Sequence, residues 1–187
     1  MTTNQVLRTM VVDSSLVFRK IIGDLLLDIK CVELVGQAPN GKIAVQKAQS
    51  LKPDLMILDI NLQDMSGLEV LRQLREAKIG CQVIVVSVAS PNMSLMTMKA
   101  LSAGAFEFVI KPEAETIEET KRLFEPEFKL AVQALVESLR IRCSMNIVGT
   151  TNSSASATKS ASHNASVSAA IKATSGRNIE LIVIGIS

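Results

Sequence analysis

The sequence predicts an α/β protein in which five parallel strands form a doubly wound sheet with helices on both faces. Three observations carry that prediction. Apolar runs of strand length alternate five times with segments of helical period between residues 7 and 139. Each β-then-α unit in such a series is a right-handed crossover, and successive crossovers cover both faces of the sheet. Composition agrees: 48% apolar and 20% charged residues are the proportions of a chain that builds a core.

The elements follow in order. Leu7–Val12 is a short run rich in β-branched residues, the first strand. After Asp13-Ser14-Ser15 the period changes, and Val17, Ile21, Ile22, Leu25 and Ile29 mark an amphipathic helix. Asp13, Ser14 and Ser15 are all residue types that cap such a helix, and for Ser14 capping is the preferred role. Cys31–Gly36 is the second strand. Asn40-Gly41 opens a helix carrying Ile43, Ala44, Ala48 and Leu51, which Lys52-Pro53 stops. Asp54–Ile60 is nearly all apolar, as a central strand buried on both faces requires.

A loop over 61–67 leads to a helix with Leu68, Leu71 and Leu74, closed by Gly80. Gln82–Val86 is the fourth strand. Met93–Ala103 is helical, with Gly104 at its C-cap and Met93, Met96 and Met98 expected as core filler. Phe106–Ile110 is the fifth strand, followed at once by Lys111-Pro112. Residues 113–124 read either as a short extra helix or as an ordered loop. The last helix is expected to start with Pro126 in its first turn and to bury Phe128, Val132, Leu135, Val136 and Leu139.

Charge and cysteine content exclude several classes of function. Basic and acidic side chains balance over residues 1–142, and the net charge of +2 arises beyond them. A neutral folded part has no electrostatic footprint for DNA. With 3% aromatics and neither Trp nor Tyr, stacking platforms for single strands are absent too, so no nucleic-acid partner is expected. Cys31, Cys81 and Cys143 are too few and too scattered for a disulfide framework or a zinc site and read as reduced thiols. No charged segment followed by an apolar core opens the chain, and no apolar run approaches the ~20 residues that span a bilayer. A cytoplasmic protein without membrane insertion is the expectation.

Composition also divides the chain. Residues 1–142 form the first domain. From 143 to 178 acidic residues vanish, and 150–176 consists almost wholly of Ser, Thr, Ala and Asn, the composition of a flexible linker. His163 stands alone there without ligand-spaced neighbours. Residues 179–187 (IELIVIGIS) then read as the first strand of a second, truncated domain.

In doubly wound sheets function gathers beyond the C-terminal strand ends, where the strand order reverses. Strand one ends in Asp13, strand three in Asp59, strand four in Ser87 and strand five in Lys111. Two carboxylates that face each other repel unless a cation lies between them. Hard oxygen ligands of this kind suit Mg2+, which takes one or two carboxylates plus waters and a phosphate. A lysine and a hydroxyl beside them can neutralise and hydrogen-bond phosphoryl oxygens. An Asp carboxylate in that setting is a nucleophile able to form an aspartyl phosphate by in-line transfer.

These residues carry a resemblance. VVDSS at 11–15, PDLMILDINLQDMSGLEVL at 53–71, VIVVS at 83–87 and GAFEFVIKP at 104–112 resemble, in order and spacing, the receiver domain of two-component response regulators. The resemblance implies a flavodoxin-like sheet of order 2-1-3-4-5. It implies Asp59 as phospho-acceptor, Asp13 as an acidic metal ligand and the Asn61 backbone carbonyl as another, with Mg2+ as cofactor. It implies Ser87 as the switch hydroxyl, Lys111 as the lysine of the site and Phe108 at the rotating aromatic position. One departure stands out: the family usually has a second acid where this chain has Ser14, so metal affinity and phosphorylation rate are both expected to fall.

The C-terminus narrows the resemblance. A receiver, a Ser/Ala-rich linker and IELIVIGIS are similar to the chemotaxis protein-glutamate methylesterases, in which a strand ending in Gly-x-Ser leads into a nucleophile turn. Ser187 then aligns with the esterase nucleophile, although the catalytic His and Asp lie in sequence this chain does not contain. The implied function is a regulator that accepts a phosphoryl group from a chemotaxis-type histidine kinase and controls a tethered methylesterase domain, with chemoreceptors as further partners. Two alternatives stand beside it. One is a receiver-like module that works by protein contact without phosphate, since Ser14 replaces a metal-binding acid. The other is the receiver of a transcriptional regulator, for which the apolar strand at 179–186 is a poor start of a DNA-reading domain.

Overall fold

The computed structural model of the chain describes residues 6–150, with side-chain surroundings through Arg140. Ten elements alternate: β1 Leu7–Val12, α1 Leu16–Leu27, β2 Val32–Ala38, α2 Gly41–Leu51, β3 Leu55–Asp59, α3 Gly67–Glu76, β4 Gln82–Val88, α4 Met93–Ser102, β5 Glu107–Lys111 and α5 Ile117–Thr150. The strands are all parallel, in the order β2-β1-β3-β4-β5. This is the flavodoxin-like arrangement that the strand and helix periods and the resemblance anticipate.

The sheet separates two cores. On one face Met10, Val12, Met56, Leu58 and Val85 pack against Ala44 and Ala48 of α2, Val70, Leu71 and Leu74 of α3, and Ala100 of α4. On the other, Val11, Ile57, Ile84 and Val86 meet Ile21, Ile22 and Leu25 of α1 and Phe124, Phe128, Val132 and Leu135 of α5. Every residue of β3 is buried, which is why its sequence shows no polar alternation before Asp59. Among the described residues no helix is long and apolar enough to cross a membrane.

Helix ends follow local chemistry. The Asn40 side chain accepts from the Ile43 amide to cap α2, and Ser66 does the same for α3 through Glu69. Lys52 ends α2 in a left-handed conformation, φ 48°, just before Pro53. Gly104, at φ 94°, follows α4 and takes the left-handed turn that glycine adopts without strain.

Several expectations need correction. Ser15, not Ser14, caps α1, its hydroxyl accepting from the Phe18 amide at 3.3 Å. Cys31 does not open β2; it stands in a left-handed turn at φ 78°, and the strand begins at Val32. Lys78, at φ 54°, ends α3 before Gly80 is reached. Met93 and Met96 do pack on the core, but Met98 is 60% exposed on α4.

The largest revision concerns α5. The helix starts at Ile117, nine residues ahead of Pro126, and Pro126 lies inside it. Thr116 explains the start: its hydroxyl accepts from the Glu119 amide at 3.2 Å, in a Thr-x-x-Glu sequence. Pro126 is exposed, while Phe124 and Phe128 on either side are buried and stacked with centroids 5.1 Å apart. That packing carries the helix across a residue that donates no hydrogen bond. The backbone of α5 continues to Thr150, past Cys143, where the composition begins to change. Residues 151–178, His163, the strand expected at 179–186 and Ser187 lie outside the described residues.

Candidate functional site

Parallel register brings the C-terminal ends of β1, β3, β4 and β5 to one edge. Val12 pairs with Leu58, Asp59 with Val86, Ser87 with Ile110 and Val88 with Lys111. Asp13 follows β1 directly, its amide donating to the Ala38 carbonyl at 3.1 Å. Residues separated by up to 98 positions in sequence therefore meet at the sheet edge.

The Lys111 ammonium stands between the two acids. Its Nζ is 2.6 Å from Asp13 Oδ2 and 2.8 Å from Asp59 Oδ2, and all three side chains are at least nine-tenths buried. The remaining carboxylate oxygens also have donors: Asp13 Oδ1 accepts from the Ser15 amide at 2.8 Å, and Asp59 Oδ1 from the Asn61 amide at 3.0 Å. Burial pushes the Asp13 carboxyl above its ordinary value; Lys111 opposes that shift and the Asp59 charge adds to it. Two carboxyl groups thus share one lysine side chain in a buried site.

Ser87 is 5% exposed and joins the cluster from β4. Its hydroxyl accepts from Asn61 Nδ2 at 3.3 Å and donates to the Val88 carbonyl at 3.2 Å. Phe108, three residues before Lys111, is buried among the residues between the sheet and α2–α4 and pairs in register with Val85. The structure thus brings Asp13, Asp59, Asn61, Ser87 and Lys111 to one place and sets Phe108 in the adjoining core.

Two contributors were not visible in the sequence. Arg19 of α1 reaches back to the β1–α1 turn, its Nη1 donating to the carbonyls of Asp13 at 2.6 Å and Ser14 at 3.3 Å. Phe18 lies under the lysine, with Nζ over its ring 4.6 Å from the centroid. Phe18 shares the α1 face of Ile21, Ile22 and Leu25, which marks it as inward-facing, but its contact with a residue of β5 has no local signal.

The loop after Asp59 is fixed from both ends. Gly67 N donates to the Ile60 carbonyl at 2.9 Å, and a Cβ built at Gly67 would lie 2.7 Å from the Asp59 carbonyl oxygen and 2.8 Å from Ile60 Cα. Those neighbours are backbone and cannot move aside. Gly67→Ala is therefore expected to cost about 1–3 kcal/mol, read as a lower urea midpoint at unchanged m-value.

Farther along, Asp64 accepts from the amides of Gly41 at 2.8 Å and Lys42 at 2.9 Å, fastening the loop to the N-terminus of α2. The Lys42 amide, followed by those of Gly41 and Met65, holds the Asp64 carboxyl below its ordinary value of 3.8. A lowered folded pKa stabilises above the unfolded pKa, and that stability is lost as pH falls through the folded one. Wild type should therefore melt above Asp64→Asn at neutral pH, and the gap should close below about pH 3.8.

Comparison with known proteins agrees with this geometry. The response regulator receiver domain matches residues 9–121. The chain belongs to the response regulator receiver family. A protein-glutamate methylesterase/protein-glutamine glutaminase of Desulfotalea psychrophila is 44% identical to this receiver over 110 residues, 59% of this chain and 30% of that protein. The Bacillus subtilis protein of the same description is 39% identical over 106 residues, 57% of this chain and 29% of its own length. The chain thus spans under a third of the curated relatives it matches. The response regulator domain of Thermotoga maritima CheB superposes with a TM-score of 0.58 at 30% identity, covering 69% of this chain and 98% of that domain.

The receiver's donor set accommodates a magnesium ion. Asp13 and Asp59 supply hard carboxylate oxygens, and Mg2+ asks for no more than one or two of these, keeping waters and a phosphate for its other positions. Among the described residues there is no cluster of three or more His, Cys, Asp or Glu side chains placed to hold a metal, and Ser14 stands beside Asp13. Asp13 and Asp59 are enough carboxylates for such an ion.

Proposed function

We propose that this receiver accepts a phosphoryl group on Asp59 from a histidine kinase and, in its parent protein, controls a tethered protein-glutamate methylesterase domain in the cytoplasm. The observation that carries the reading is the Lys111 ammonium held within 3 Å of both Asp13 and Asp59 at a buried strand-end site, beside the Ser87 hydroxyl. The likeness to methylesterase receivers supports the chemotaxis assignment, with chemoreceptors as the parent's further partners.

In the transfer, Asp59 Oδ attacks the phosphorus of a phosphohistidine in line. The P–N bond breaks as the O–P bond forms, and the imidazole leaves with the bonding pair. Lys111 shifts its ammonium onto a phosphoryl oxygen, so charge arriving at Asp59 is met by a cation already in place. Ser87 turns its hydroxyl from the Val88 carbonyl to donate to a second phosphoryl oxygen. Asp13, Asp59 and the Asn61 carbonyl would hold Mg2+, which would supply further charge neutralisation there.

The loss of Ser87 from its resting bonds frees Phe108 to change its packing between the sheet and α4. The exposed side chains of Leu95, Met98 and Leu101 on α4 then present an altered surface to the tethered domain. Phosphorylation biases an equilibrium between two such arrangements.

Intact mass after incubation with Mg2+ and a small-molecule phosphodonor tests the reading. One added phosphoryl group, absent from Asp59→Asn, is the expected result. No addition at any donor concentration would favour a receiver that acts by protein contact alone, the reading that Ser14 supports.

A further inference from the structure

Lys111 has to satisfy two demands that pull in different directions. Its ammonium must stay in a buried site, yet its charge must remain available to whatever arrives at Asp59. The two ion pairs use two of its three donors. On α1, the Phe18 ring stands within cation–π reach of the same Nζ, 4.6 Å from its centroid. A third carboxylate at that spot would compete for the ammonium and neutralise it. An aromatic face attracts the cation through its quadrupole and leaves the charge intact.

The ring is itself held in place. Phe124 of α5 meets it edge to face, with centroids 5.6 Å apart and planes at 79°, and Phe124 in turn stacks on Phe128. Both α5 rings are almost wholly buried. A ring of α5, in the same core as α1, thereby packs against the α1 side chain that faces a β5 lysine. Plain core packing would need neither the ring face nor its alignment with Nζ.

We infer that Phe18 is a positioning residue that holds the Lys111 ammonium over the Asp13–Asp59 pair through its ring face and keeps it ready for a phosphoryl oxygen. The second half rests on the function proposed above; the first does not.

Phe18→Leu removes the ring but also disturbs packing on Phe124, so the decisive variants replace Phe18 in the full chain by mono-, di- and trifluorinated phenylalanine. Fluorination weakens the quadrupole stepwise at nearly constant shape. Two readouts apply to each protein: the Lys111 ammonium cross-peak in 15N NMR, and the rate of phosphoryl addition from a small-molecule donor with Mg2+. The expected result is progressive broadening of the cross-peak along the series, with unchanged melting temperature. The phosphorylation rate should fall roughly threefold to tenfold by the trifluorinated protein.

A cross-peak insensitive to fluorination would overturn the inference whether or not Asp59 accepts phosphate. A constant phosphorylation rate despite a broadened peak would overturn its second half, the ammonium's readiness for a phosphoryl oxygen. If the wild-type protein takes up no phosphate at all, the proposed function fails, and the NMR series alone decides whether the ring holds the lysine.

Discussion

Replacing Lys111 with methionine is expected to lower stability by about 3–5 kcal/mol, the cost of removing one partner from a buried, hydrogen-bonded charge cluster. Asp13 and Asp59 both contact the ammonium within 3 Å and would be left facing each other without it. The loss should depend on pH. Burial already raises the Asp13 carboxyl, and Lys111 is the main influence holding it down, so the variant pushes it higher still. A carboxyl whose folded pKa lies above its unfolded value loses stability as pH rises through that window. The deficit should therefore be largest at neutral pH and shrink on acidification toward the ordinary carboxyl value of 3.8. Urea melts of both proteins at the two pH values measure it; equal deficits would mean that the acids are not coupled through the lysine.

Ser14→Asp is expected to act in the opposite sense on metal binding. It adds a third carboxylate next to Asp13, in a turn whose carbonyls already receive the Arg19 guanidinium. At an effective dielectric near 20 an added charge about 4 Å from a cation contributes several kcal/mol before desolvation is subtracted, enough for a tenfold or greater rise in Mg2+ affinity. The metal-free variant should be less stable than wild type, since it adds a carboxylate beside the Asp13–Asp59 pair. Thermal shift against Mg2+ concentration reads both effects at once, because ligand binding to the folded state raises the melting temperature. An unchanged affinity would show that Ser14 is not what limits the site.

Much of the fold was legible because its signals are periodic. The solid apolar run before Asp59 announced a central strand, and the spacing of Ile21, Ile22 and Leu25 announced the face of α1 that covers the sheet. The strand-end residues were legible for a related reason: a parallel sheet places every C-terminal strand end on one edge, so chemistry read at four separate positions converges. What escaped the sequence was settled by contacts. Pro126 looked like a helix start, but the buried rings of Phe124 and Phe128 carry α5 through it. The true start, Thr116-x-x-Glu119, was a local signal that the proline overshadowed. Left-handed turns at Cys31 and Lys78 occupy residue types with no special preference for them, so nothing in the composition marks them. The Phe18–Lys111 contact joins α1 to β5 between residues far apart in sequence, and only the folded arrangement reveals it.

The central claim is that Asp59, and no other carboxylate at this edge, receives the phosphoryl group. Borohydride reduction tests it most directly, since it converts an aspartyl phosphate to homoserine at the modified position. Treatment of the phosphodonor-loaded protein, followed by peptide mass mapping, should place homoserine at position 59 in quantity matching the phosphoryl content. Homoserine at position 13 or 64, or none despite a phosphorylated intact mass, would contradict the account.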